Sequence, residues 1–177
     1  MKNLELKVRI SDKQQYKDIS TKISKYYRYG CNQRDTYYKT KEGRFKIRRE
    51  ENDGETFAEM IYYKRPDNAE AKISDYMICR LSHSAGDGIA SIINSAFERE
   101  IIVSKDREIY QYKNARIHLD TVYGLNGHFL EIEVVFGINT TDENAQELMN
   151  ELITLLDIST CEKISIGYRE LLLHTRA

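Results

Sequence analysis

Charged and apolar residues alternate at every second position through several segments of this chain, and that pattern narrows the choice of fold more than any other feature. Residues two apart on a β-strand share one face. Glu5, Lys7 and Arg9 therefore share a face, with Leu4, Leu6, Val8 and Ile10 on the other. Arg44, Lys46 and Arg48 oppose Phe45 and Ile47, and Arg116, His118 and Asp120 oppose Ile117 and Leu119. Glu131 and Glu133 flank Ile132, Tyr62 and Lys64 share a face, and so do Lys105 and Arg107. For a single strand this alternation ordinarily means an antiparallel sheet with one solvated face. Two properties of the whole set argue for more. The polar positions are almost wholly ionic, and the signs are segregated, with three cations on one strand and two carboxylates on another. A sheet closed into a barrel, apolar outside against helices and ionic inside, produces the same pattern.

Strands are predicted at 4–10, 33–38, 44–50, 57–65, 75–81, 100–104, 107–112, 115–122 and 127–136, separated by turn signals such as Asn52-Asp53-Gly54 and Gly124-Leu125-Asn126-Gly127. Their short connections favour antiparallel neighbours. A first helix begins after Ser11 or Asp12 and carries Tyr16, Ile19, Ile23 and Tyr26/Tyr27 on one stripe. A second covers 89–97, with 82–88 before it as a mobile polar loop. A third starts at Thr140, with Glu143 as its capping-box partner, and its Leu148, Leu152, Leu155 and Leu156 recur at helical spacing. A short helix is expected at 168–173. The fold class is α+β. With one proline and no linker-like stretch, 1–177 reads as a single domain.

Twenty-seven basic against 28 acidic residues argue against a general nucleic-acid binder. Cys31, Cys79 and Cys161 have neither the number nor the spacing of a disulfide framework or a zinc site. No apolar run is long enough for a membrane span, and the first residues lack the uncharged core of a signal peptide. These readings point to a cytoplasmic protein with no membrane partner.

An interior lined by Lys and Arg is costly to leave without counter-charge. A polyanion supplies it, and Arg matches phosphate oxygens bidentately. Carboxylates among those cations repel the same ligand unless a divalent metal joins them. Mg²⁺ or Mn²⁺ takes oxygen ligands from a few carboxylates and the rest from phosphate and water. Cations, paired carboxylates and a metal together suit phosphoryl chemistry.

NLELK (residues 3–7), QRDTYY (33–38), GRFKIR (43–48), IYYKRPD (61–67), KDRE (105–108), NARIHLD (114–120), GLNGHFLEIE (124–133) and SIGYRELLL near the end occur in an order that resembles the CYTH superfamily of triphosphate tunnel metalloenzymes. That superfamily includes class IV adenylate cyclases and thiamine triphosphatases. The resemblance covers nearly the whole chain. It implies an eight-stranded antiparallel β-barrel, a triphosphate tunnel with helices packed outside, and homodimers as a common assembly. It also implies Glu5, Glu131, Glu133 and Asp120 as ligands of Mg²⁺ or Mn²⁺, and Lys7, Arg44, Lys46, Lys64, Lys105, Arg107 and Arg116 as triphosphate ligands. Arg48 and Arg9 face the same way, and Lys7, Glu133 and Arg116 stand nearest the chemistry. One departure is that Asn3 replaces the first Glu of the family's ExExK signature. An amide oxygen binds Mg²⁺ less strongly than a carboxylate.

His118 sits on the inner face, where it could relay a proton, but the commoner role is a wall residue bonded to Asp120 or Glu133. His83, His128 and His174 belong to no constellation. Tyr37 and Tyr38 could stack on a base, but wall packing is the commoner use of tyrosine in so tyrosine-rich a chain. Three functions remain open: a class IV-like adenylate cyclase, a thiamine triphosphatase or tripolyphosphatase, and a non-catalytic binder of a nucleotide or polyphosphate.

Overall fold

A computed structural model describes residues 2–52, 54–64 and 72–176, with the backbone alone at 26–28, 72–76 and 83. Eight strands run β1 (Lys2–Ile10), β2 (Tyr26–Tyr38), β3 (Arg44–Asn52), β4 (Glu55–Lys64), β5 (Lys72–Leu81), β6 (Arg99–Tyr112), β7 (Ala115–Val122) and β8 (His128–Val135). They close into an antiparallel barrel in the order β1-β5-β4-β3-β2-β6-β7-β8, with β1 paired to both β5 and β8. Closure leaves no sheet edge and turns one face of every strand inward.

Four helices accompany it: α1 (Lys13–Ile23), α2 (His83–Ala96), α3 (Asp142–Leu155) and α4 (Tyr168–His174). Asp12 caps α1, accepting from the amides of Gln14 and Gln15. α1 and α3 lie over β1, β6, β7 and β8. There Val8, Ile117, Leu130, Ile132, Met149 and Leu152 are fully buried, each worth roughly 1.5–3 kcal/mol of apolar transfer. α2 rests on β4 so closely that a Cβ on Gly86 would come within 2.8 Å of the Ala58 Cβ. α4 closes one end of the barrel. Tyr168 and Leu172 pack there against the inward-facing Tyr37, Val103, Val122 and Phe129.

Four local expectations are corrected. Residues 100–104 and 107–112 belong to one strand, because Lys105 and Asp106 stay in register with Gln33 and Asn32 on β2 and with Val122 and Thr121 on β7. Residues 83–88, expected as a loop, form the first turns of α2, and Ser82 caps it. α3 is capped by Thr141, one residue later than expected, while the Thr140 hydroxyl accepts from the Gly137 amide. Tyr26 and Tyr27 belong to β2 rather than to the stripe of α1. Arg65, Pro66 and Asp67 of the IYYKRPD string lie outside the described residues.

Candidate functional site: a charged tunnel

The barrel encloses a cavity of about 300 Å³. Among the described residues, seven Lys and Arg side chains and six carboxylates border it. Nine of the thirteen candidate site residues line it: Glu5, Lys7, Lys46, Arg48, Lys105, Arg107, Arg116, Glu131 and Glu133.

On the β1–β8–β7 wall they form two rungs. Glu5 lies opposite Glu133, which lies opposite Arg116, and Lys7 lies opposite Glu131, which lies opposite His118. The Arg116 guanidinium sits 2.8 Å from Glu133, and the Lys7 ammonium 3.8 Å from Glu131 and 4.0 Å from the centre of the Tyr168 ring. His118 stands 3.9 Å from Glu131 and 3.8 Å from Glu133. Burial and Arg107 depress its pKa, favouring neutral imidazole. Burial would raise the Glu131 carboxyl, but Lys7, His118 and Arg107 hold it well below the usual range.

On the facing wall, Asp35 accepts from Lys46 Nζ at 2.6 Å and from Arg48 Nε and Nη2 at 2.7 and 2.9 Å, with Lys105 Nζ 3.6 Å away. Asp35 is 2% exposed. Gln33 donates to Glu50, and Arg80 pairs with Glu59 at the mouth. Phe57, Ile61, Tyr63 and Ile78 also border the cavity here, on β4 and β5, so this sector is partly apolar.

Four candidates, Asp120, Arg44, Lys64 and Arg9, stand elsewhere. Arg107 grips Asp120 through Nε at 2.7 Å and Nη2 at 2.6 Å, and the Tyr168 hydroxyl donates to it at 2.7 Å. Asp120 has no exposed surface and lies behind the lining. Its oxygens are committed to that arginine and tyrosine. Arg44 donates to Glu170 of α4 at 2.8 Å, and the exposed Lys64 pairs with Glu42. Arg9 shares the parity of Lys7 but lies beyond Phe129, bonded to Glu162 and to the carbonyl of Asn126.

Of the two partners expected for His118, Asp120 is taken, while Glu133 stands beside it together with Glu131. Tyr37 is a buried wall residue, whereas Tyr38 faces outward and donates to Asn94 on α2. Asp35, Gln33 and Glu50 were missed by sequence reasoning, although the alternation in QRDTYY and GRFKIRRE places them on the inner face. Tyr168 had no such signal, since it arrives from a helix.

Asn3 is fully buried and its amide donates to Glu133 Oε1. A carboxylate at this position would repel Glu133, whereas the amide orients it. Among the described residues no three His, Cys, Asp or Glu side chains form a ready metal cage. The donor set still fits a hard divalent cation. Glu5 and Glu133 are direct cross-strand partners, both all-oxygen donors, and Mg²⁺ typically uses only one or two carboxylates and completes its shell with water and phosphate.

Fold and lining together define a closed antiparallel barrel with an ionic interior. The chain belongs to the CYTH domain family, whose model matches residues 1–168. Solved structures agree on the fold. PH1819 from Pyrococcus horikoshii is 21% identical with a TM-score of 0.76, covering 98% of this chain and 99% of that one. PH1012 from the same organism reaches 0.80 at 18% identity, covering 96% and 99%. A protein from Vibrio parahaemolyticus, provisionally described as an adenylate cyclase, reaches 0.69 at 16% identity over 97% of both chains. No functionally curated protein matches the chain. Among the described residues no helix is long and apolar enough to cross a membrane.

Proposed function

We propose that the tunnel is the active site of a metal-dependent enzyme acting on an organic triphosphate, most like a class IV adenylate cyclase. One observation carries this reading: Glu5, Glu131, Glu133 and Arg116 stand on one wall of the barrel's cavity, with Lys46, Arg48 and Lys105 on its β3 and β6 side. The lining is nearly neutral, with seven cations to six carboxylates. A bare triphosphate would therefore meet little net attraction, and a triphosphate that brings divalent cations keeps the balance. Phe57, Ile61 and Ile78 favour an organic substituent over inorganic tripolyphosphate, since apolar wall gains nothing from phosphate oxygens.

Glu5, Glu131 and Glu133 would hold Mg²⁺ or Mn²⁺, which would polarise phosphoryl oxygens and activate the attacking oxygen. Lys7 and Arg116 would neutralise the phosphoryl group under attack. Lys46, Arg48, Lys105 and Arg107 would take the charge of the departing group in a cavity where fixed cations need little reorganisation. In the cyclase register a ribose 3′-oxygen bonds to the α-phosphorus as pyrophosphate leaves. In the hydrolase register, as for thiamine triphosphate, water bonds to the terminal phosphorus as its bond to the bridging oxygen breaks, giving inorganic phosphate and the organic diphosphate as leaving group.

A second reading is a non-catalytic nucleotide or polyphosphate binder. The Asn3 amide bound to Glu133 supports it, because it leaves one carboxylate fewer at the metal pole.

Incubation with ATP, thiamine triphosphate and tripolyphosphate, each with Mg²⁺ or Mn²⁺, tests both. Cyclic AMP with pyrophosphate supports the cyclase and released phosphate the hydrolase. Intact substrates that still raise the melting temperature support the binder, and a large gain of turnover in Asn3→Glu would then mark a degraded enzyme.

A further inference from the structure

Asp35 is buried at the centre of three cations contributed by two other strands, Lys46 and Arg48 from β3 and Lys105 from β6. A carboxylate in a cavity meant for phosphate looks counterproductive, since it occupies donors that the ligand needs. Its geometry answers the objection. Arg48 reaches it through a two-pronged contact, Nε to Oδ1 and Nη2 to Oδ2. Lys46 bonds to Oδ2, and Lys105 stands 3.6 Å from that same oxygen. Three positive heads thus converge beside one anion, two more positive charges than Asp35 itself can balance. Without an anion at their centre, three buried like charges would repel one another, and lysine would shed a proton before staying buried and charged.

We propose that Asp35 is a positioning residue, an internal counter-anion that holds Lys46, Arg48 and Lys105 charged and convergent so that they bind one phosphate group on their open side. The inference rests on the reading of the tunnel as a triphosphate site. Other groups face the cluster from every side. Tyr37 on β2 and Tyr63 on β4 lie beside Lys46. Glu59 on β4 is the cross-strand partner of Arg48. Arg107 on β6, Asp120 on β7 and the Tyr168 ring on α4 act on Lys105.

Even with Asp35 present the balance is fine. Burial and Arg48 push Lys46 down to about 7 against the pull of Asp35. Burial pushes Lys105 down to about 8, with Asp35 again opposing it. Removing that one negative charge moves both lysines further down. At neutral pH the cradle then loses charge although no ligand-contacting cation has been mutated.

The test is calorimetric titration of the full chain and of Asp35→Asn with inorganic tripolyphosphate and Mg²⁺, from below pH 7 to above pH 8. The wild-type affinity falls as pH rises through the lysine range. In Asp35→Asn the same fall is displaced to lower pH by about one pH unit or more, so the loss above neutrality exceeds roughly tenfold and shrinks on acidification. Tighter binding at every pH would make Asp35 a mere competitor of phosphate, and an even loss at every pH would make it a packing residue; either result overturns the proposal. A second measurement needs no ligand. NMR titration of the Lys46 and Lys105 ammonium groups, with a melting curve to check the fold, shows both moving to lower pH in Asp35→Asn, and unmoved lysines overturn the assignment. Wild-type protein that binds no tripolyphosphate would sink the triphosphate reading, and with it the phosphate site, while the NMR result still separates that failure from a failure of the role given to Asp35.

Discussion

The outer faces of β1, β7 and β8 lie under α1 and α3, where Val8, Ile117, Ile132 and Leu152 are 0% exposed. On β5, by contrast, outward-facing Met77 is 68% exposed and inward-facing Ile78 41%. The inner faces differ in the same sense. The helix-clad wall presents Glu5, Lys7, Glu131, Glu133 and Arg116 in paired rungs, and the β4–β5 wall presents Phe57, Ile61 and Ile78 with the pair Glu59–Arg80. Under the proposed function the reactive groups stand on the half clamped by a dry core, which suits groups that must be held to a fraction of an ångström. The less covered half suits the variable part of a ligand.

Four experiments break or sharpen this comparison. The largest effect is expected at Glu133→Gln, which keeps the size of the side chain but removes its charge. Metal-dependent turnover should fall by at least about a hundredfold with the fold retained. Unaltered rates would remove the helix-clad wall from the chemistry. Next comes Ile78→Ala, expected to raise KM for ATP roughly tenfold while leaving tripolyphosphate unaffected. An equal effect on both substrates would dissolve the distinction between the walls.

Stability should follow the same division. Ile132→Val is expected to cost about 0.5–1.5 kcal/mol in urea denaturation. Met77→Ala should stay within about 0.5 kcal/mol of wild type. Comparable losses would show that both halves are packed alike. The smallest expected effect is at Arg44→Ala: its loss of triphosphate affinity should fall below that of Lys46→Ala, because Glu170 already engages Arg44. A larger loss would extend the site to the α4 end.

The tunnel carboxylates also set the acid limit. Burial raises Asp35 and Glu131, but their cationic neighbours hold both folded carboxyls well below their ordinary values of 3.8 and 4.5. The stability they contribute is present above those values and is lost as pH falls through the folded ones. Melting temperature should therefore drop on acidification below the ordinary carboxylate range, and less steeply in Asp35→Asn. An unchanged slope would mean that Asp35 is not held in its charged form by the cation cluster.

Much of this architecture is legible in the order of the residues alone. Period-two alternation is a local property, so the inward faces of β1, β3, β7 and β8 can be read directly, and nine candidates meet in the tunnel. The misses arise where meaning depends on partners. Lys105 and Asp106 resemble a turn in sequence, yet β2 and β7 pair with them on both sides. Polar residues 83–88 resemble a loop, yet Gly86 is what lets α2 approach Ala58.

By itself, then, the sequence determined which faces of β1, β3, β7 and β8 are ionic, that the sheet is antiparallel, and which family the chain resembles. On β4, by contrast, it paired Tyr62 with Lys64, although Ile61 and Tyr63 are the residues that face the cavity. The tertiary structure decided which ions meet. Asp120 and Arg44 have the residue types of a site, but Arg107 and Tyr168 consume the first and Glu170 the second. Asp35 is merely one acid in QRDTYY until barrel closure sets three cations around it. The physical reason is that a side chain's direction follows from local backbone geometry. Its charge state and availability follow from neighbours that barrel closure brings from distant parts of the chain.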